Sequence, residues 1–157
     1  MRHHFSHSRL SFFVLLLAAL PLASQARAAE VPFARYAHAD CSGIASCGVT
    51  FPAVPATRMW IVRYVSCYTA VGNANGKILY MFFYANRKNG DRVGEIHLRP
   101  ASLGTGGSDH TYNATETAYL PLPGGSTMGV GMTRDSSTPG DTPFLNCTIG
   151  GDSIPSP

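Results

Sequence analysis

The sequence predicts an all-β fold: a jelly-roll-like antiparallel sandwich of about seven or eight short strands, with a small barrel as the alternative. Three observations predict it. Runs rich in β-branched and aromatic residues recur along the chain. Gly, Pro and Asn clusters punctuate them, and no stretch carries the apolar spacing of a helix. There is neither an internal repeat nor a coiled-coil heptad.

Residues 1–28 read as a cleaved signal peptide rather than as structure. Arg2 and Arg9 supply a positive start, Phe12 to Leu20 an apolar centre, and Ala26-Arg27-Ala28 an A-x-A cleavage site. The apolar run from Leu10 to Leu22 is 13 residues long, whereas a spanning helix needs about 20. The expectation is export, with no membrane span after cleavage and a single domain over residues 29–157. The formal charge of +3 comes from Arg2, Arg9 and Arg27. Residues 29–157 balance nine basic against nine acidic side chains, so nothing in the charge points to nucleic acid.

Four cysteines in an exported chain, Cys41, Cys47, Cys67 and Cys147, predict two disulfides. The favoured pairing is Cys41–Cys47, closing the loop C-S-G-I-A-S-C, with Cys67–Cys147, joining the strongest strand to the last one. On the loop-entropy model the long closure contributes up to about 4.5 kcal/mol and the short one about 2. The rival reading is a metal held by His38, Cys41 and Cys47. It lacks a second C-x-x-C and suits an oxidising compartment poorly.

Residues 30–40 read as an extended lead-in with Val31, Phe33 and Tyr36 touching the core. Gly48 to Phe51 forms a short strand ended by Pro52. Val54 to Val71 is the stretch around which the rest is organised. Its β-branched and aromatic run begins at Pro55 and ends at Gly72-Asn73. Simple alternation places Trp60, Val62, Tyr64 and Ser66 on one face and Met59, Ile61, Arg63, Val65 and Cys67 on the other. Asn73 to Gly76 has hairpin-turn chemistry.

Lys77 to Tyr84 is the most hydrophobic run of residues 29–157. Ile78, Tyr80, Phe82 and Tyr84 alternate with Leu79, Met81 and Phe83. Arg92 to Arg99 is a half-exposed strand with Ile96 and Leu98 inward. Ala101 to His110, rich in Gly and Ser, reads as a surface loop. A strand through Thr117 to Leu120 stops at Pro121 and Pro123. Thr127 to Arg134 alternates Met128, Val130 and Met132 with small residues. Asp135 to Pro143 is a polar loop, Phe144 to Ile149 is the last strand, and the tail from about Gly150 frays.

Val54-Pro55-Ala56, followed by Trp60-Ile61-Val62 and Tyr64-Val65-Ser66, resembles a group of small exported bacterial proteins. They carry a V-P-A-x-x-x-hydrophobic strand ending in V-S and a later strand with a Gly-bearing turn, here Leu120 to Val130. The resemblance covers about half of residues 29–157. It implies a jelly-roll-like sandwich in the bacterial periplasm or exterior, and no reaction.

The motifs of an enzyme are missing: no G-x-S-x-G, S-x-x-K, H-E-x-x-H, Walker loop or strand-borne G-x-G-x-x-G occurs. Ser108-Asp109-His110 supplies the right side chains for a triad, but neighbours in a loop rarely aim at one another. Glu95 and Glu116 are the carboxylates that a hydrolase pair would use. His97 and His110 could share a metal with Asp109, against the plainer reading of a half-exposed strand histidine. Trp60, Tyr64, Tyr68, Tyr80, Tyr84, Tyr112 and Tyr119 could stack on sugars, although strand aromatics usually serve the core. Two N-x-[ST] matches, at Asn113 and Asn146, read as chance in a bacterial chain.

The reading is therefore a non-catalytic binding or structural module at the cell envelope, its ligand a glycan or an envelope protein. No cofactor and no metal are predicted. The alternative is a small secreted hydrolase or lyase using Glu95, Glu116, His97 or His110. An inhibitor- or toxin-like module presenting the Ala101 to His110 loop is a third possibility.

Overall fold

Among the described residues of the computed structural model, 30–73, 75–135 and 143–157, the chain forms nine strands and no helix. In order they are β1 (Val31–Asp40), β2 (Ser46–Phe51), β3 (Arg58–Val71), β4 (Ile78–Asn86) and β5 (Arg92–His97), then β6 (Ala101–Gly106), β7 (Asp109–Leu122), β8 (Thr127–Arg134) and β9 (Phe144–Pro155). They build two antiparallel sheets, one ordered β1-β9-β3-β7-β6 and the other β2-β8-β4-β5.

The pairing explains the topology. β4 pairs with β5, β3 with β7, β2 with β8 and β1 with β9. These are the nested rungs of one long hairpin, rolled so that successive rungs fall in opposite sheets. That is a jelly roll, with β6 added at an edge through its hairpin with β7. The sandwich predicted from the sequence is the fold, with nine strands where about seven or eight were expected.

The core lies between the sheets. Val65, Cys67 and Val71 of β3 and Leu145 and Ile149 of β9 face Met81 and Phe83 of β4 and Met128, Val130 and Met132 of β8, all buried. Trp60 is also core, at 2% exposure. Simple alternation fails at two places. The register of β3 slips between Val62 and Tyr64, so Arg63 bulges and it and Tyr64 are both exposed. Trp60 and Val62 thereby join Val65 and Cys67 inside, instead of sharing a face with Tyr64 and Ser66. A bulge inserts one residue and reverses the parity of everything beyond it. A second slip between Ile78 and Tyr80 puts Leu79 outside, while Ile78 packs on the core.

Four other expectations are corrected. The extended lead-in expected over residues 30–40 is a full strand, Val31–Asp40, laid along β9. Of the core contacts expected there, only Phe33 packs on the core; Val31 and Tyr36 are exposed. Ala101 to Gly106 is an edge strand rather than a loop, although every residue in it is exposed. β7 runs through Pro121. The expected fraying tail is held between β1 and β3 as far as Ser153 and against β3 to Pro155. Its glycines permit this: a Cβ on Gly151 would lie 1.9 Å from the Ile61 carbonyl oxygen, and one on Gly150 would meet the Tyr64 ring at 2.4 Å. The expected polar loop from 135 to 143 lies mostly outside the described residues, as does the expected signal.

The disulfides are Cys41–Cys47 and Cys67–Cys147. Cys67 and Cys147 are direct cross-strand partners on β3 and β9. The long closure therefore fastens strands within one sheet, whereas Cys41–Cys47 ties the end of β1 to β2 in the other sheet. Such bonds belong to an oxidising, extracellular type of environment.

Candidate functional site

The outer face of the four-stranded sheet carries the most organised group of exposed side chains. Because Met81, Phe83 and Ala85 face the core, Tyr80, Phe82 and Tyr84 point outward along β4. Their rings follow one another, Tyr80 to Phe82 at 5.0 Å between centroids and Phe82 to Tyr84 at 5.9 Å, tilted by 38° and 40°. They lean over glycines on β8. Phe82 is opposite Gly131 and Tyr84 opposite Gly129 in register. A Cβ on Gly131 would come within 2.6 Å of the Phe82 ring, and one on Gly129 within 2.6 Å of the Tyr84 hydroxyl. Leaving these positions without side chains lets the rings lie down as a shelf.

Polar groups border the shelf on both sides. On β5, the Glu95 carboxylate accepts from the Tyr80 hydroxyl at 3.1 Å and from Arg92 at 3.2 Å. His97 Nε2 lies 3.7 Å from the same carboxylate, and its ring meets Tyr80 edge-on at 5.2 Å. The Arg92 guanidinium sits 5.1 Å from the Tyr84 ring centre. Beyond the glycines, Ser46 and Thr133 hydroxyls are 3.2 Å apart. Partial loss of hydration, and secondarily Glu95, raises the pKa of Tyr80, which keeps its proton and remains a donor.

The candidate carboxylates do not converge. Glu95 is opposite Tyr84, on the outer face of its sheet, whereas Glu116 is opposite Val65, on the core-facing side of β7 in the other sheet. Glu95 and His97 do come together, within the shelf border. His110 meets neither His97 nor Asp109. Its Nε2 is 2.6 Å from the Ser102 hydroxyl on β6, and its Nδ1 is 3.1 Å from the Tyr112 hydroxyl, which donates to the Gly76 carbonyl at 2.8 Å. Asp109 is approached instead by Ser108, at 3.3 Å. Burial, with Asp135 adding to it, raises the Tyr112 pKa. Cys41 and Cys47 are consumed by their disulfide and offer His38 no thiolate partners. Among the described residues no three His, Cys, Asp or Glu side chains gather as a metal site.

The remaining aromatics are scattered. On the five-stranded sheet Tyr36, Tyr64, Tyr68 and Tyr119 are exposed, but Ser66, Thr115, Thr148 and Asn146 stand among them in register. Tyr36 donates to Asn146, and Arg63, held by Asp152 at 2.7 Å, covers the Tyr119 ring at 4.9 Å. The sequence reading had not singled out Phe82, Arg92, Gly129 or Gly131 for the site, nor Ser102. Its available signal was the G-x-G of β8 facing an aromatic run, which becomes meaningful once β4 and β8 are known to pair.

No protein-family model and no curated protein matches the chain. Among solved structures it is similar to those of infectious bursal disease virus, Gx strain (12% identity, TM-score 0.34) and Gt strain (11%, TM-score 0.25). The match covers 83% of this chain in both cases, and 41% and 39% of the viral ones.

Proposed function

We propose that the chain is a non-catalytic binding module, exported by a bacterium to the periplasm or cell exterior, whose ligand is a carbohydrate of the envelope or surroundings. The observation that carries this is the continuous Tyr80–Phe82–Tyr84 shelf bordered by Glu95, Arg92 and His97. A pyranose ring has an apolar face of C–H groups and an equator of hydroxyls. The C–H face is drawn to the electron-rich face of an aromatic ring, at about 0.5–1.5 kcal/mol per pair. The equatorial hydroxyls find acceptors in Glu95 and the Tyr80 oxygen, whose own proton goes to Glu95, and a donor in Arg92. Two or three such contacts sum to about 1–4.5 kcal/mol, which corresponds to an affinity of about millimolar at best. An open strip rather than a closed pocket suits a chain of sugars. The disulfides and the A-x-A-bearing leader support export.

The test is a glycan array probed with the oxidised chain. Binding to one or more glycans, lost in Tyr80→Ala/Tyr84→Ala with folding intact, is the expected result. A chain that binds no glycan on a broad array contradicts the proposal.

A second reading, a hydrolase, has one specific observation in its favour. Because the Tyr112 hydroxyl donates to Gly76, its oxygen accepts from Nδ1–H of His110, which leaves Nε2 to accept from Ser102. That is a nucleophile, a base and an orienting group. Labelling of Ser102 by a fluorophosphonate, abolished in His110→Gln, would favour this reading, and an unlabelled Ser102 would dismiss it.

A further inference from the structure

Where β1 begins, residues of β1, β3 and β9 in the five-stranded sheet, with Pro55 from the β2–β3 connection, line a cleft of about 320 Å³. Phe33 and Trp60 form its aromatic wall, stacked with centroids 4.3 Å apart and planes inclined by 22°. Val31, Pro32 and Pro55 give it an apolar rim. Into this apolar surround the chain places two cations. The Arg35 guanidinium lies 5.2 Å from the Trp60 ring centre and donates to the Ala34 carbonyl at 2.7 Å. Arg58 donates through Nε to the Ser153 hydroxyl at 3.0 Å and through an amino group to the Ser153 carbonyl.

Among the described residues neither arginine meets a carboxylate, whereas Arg63 is paired with Asp152 and Arg92 with Glu95. A guanidinium has five N–H donors, so each arginine keeps donors beyond the bonds it makes to Ala34 or Ser153. Two like charges lining one cleft repel each other, and an anion placed between them relieves that repulsion. The neutral partners explain how the side chains are held and leave their charge unmatched.

We infer that this cleft is a binding site for a small organic carboxylate with a flat apolar body, independent of the aromatic shelf. The carboxylate takes the planar forks of Arg35 and Arg58, a geometry in which bidentate contact is strongest. The apolar body lies against Phe33 and the proline rim. The volume is near the lower end for ligand sites, about 300 Å³, which favours a single small molecule over a polymer.

Trp60 is the only tryptophan of the chain and lies directly beneath Arg35, so its emission reports occupancy. The full chain is titrated with benzoate, its neutral counterpart benzamide, and inorganic phosphate, all at matched ionic strength. Saturation-transfer NMR on the aromatic probes runs in parallel, in case emission is silent. The expected result is saturable benzoate binding, with benzamide and phosphate each weaker by about tenfold or more. Arg35→Gln, at an exposed position, is expected to weaken benzoate by about tenfold while leaving the melting temperature unchanged. Arg58→Lys retains the charge without the fork and should fall between. Benzamide equal to benzoate, phosphate equal to benzoate, an unaffected Arg35→Gln, or no binding by either method would each overturn the inference.

Discussion

Phe82 and Phe83 are neighbours on β4 with the same chemistry and opposite surroundings. Phe83 is fully buried between the sheets. Phe82 lies across Gly131 on the outside, in line with two tyrosines. The inner face of the strand serves cohesion, and its side chains interdigitate with the opposite sheet. The outer face has no sheet to pack against, yet the chain spends aromatics there and clears β8 of side chains to seat them. This outward arrangement is what the proposed glycan site rests on.

The sharpest division between the faces comes from truncating each ring in turn. Phe83→Ala should cost about 3–5 kcal/mol, the usual penalty for deleting a buried aromatic, visible as a large drop in denaturation midpoint. Phe82→Ala should cost about 1 kcal/mol or less while abolishing glycan binding. Equal stability losses would erase the distinction between inside and outside. Replacing Cys67 and Cys147 by Ala should lower stability by up to about 4.5 kcal/mol, and replacing Cys41 and Cys47 by about 2. Denaturant curves of the two double variants give the order, which would reverse if joining the sheets matters more than loop length.

Glycine substitutions separate the roles more finely. An added methyl on Gly129 meets the Val49 carbonyl at 2.4 Å as well as Tyr84. Gly129→Ala should therefore strain the backbone and cost about 1–3 kcal/mol. At Gly131 the three atoms nearest the methyl all belong to the Phe82 ring, which can swing aside. Gly131→Ala should leave the midpoint nearly unchanged and weaken glycan binding by about tenfold. A variant that binds normally would show that the seated ring is not needed.

The smallest effect is with pH. Tyr80 has its pKa raised by burial and by Glu95. A raised value means the protonated form, and the Tyr80–Glu95 contact, is complete below the ordinary tyrosine value of about 10. It is lost only as pH rises through the higher folded value. Binding should thus hold through mildly alkaline solution and decline beyond, followed alongside phenolate absorbance.

Much of the framework was legible because it rests on local signals. The aromatic runs and turn residues identify strands and sandwich, and the even cysteine count predicts two disulfides; of the three pairings open to four cysteines, the favoured one is the one found. What escaped depends on partners distant in sequence. The bulges at Arg63 and Leu79 leave no trace in composition, yet each exchanges the inside and outside of its strand. Ala101 to Gly106 has a single β-branched residue, Thr105, and is a strand because β7 lies beside it. Gly150 and Gly151 resemble a loose tail until Tyr64 and the Ile61 carbonyl are seen pressed against them. For the shelf, Tyr80 and Tyr84 were visible as aromatics, and Glu95 and His97 as polar candidates. Their assembly needed the β4–β8 and β4–β5 registers.

The most direct measurement is an amide chemical-shift map of the oxidised chain titrated with cello-, chito- and xylo-oligosaccharides. Shifts confined to β4, β5 and β8 around Tyr80, Phe82, Tyr84 and Glu95, absent in Phe82→Ala, are the predicted result. Shifts centred on the tyrosines and threonines of the five-stranded sheet, or no shifts with any sugar, would contradict it.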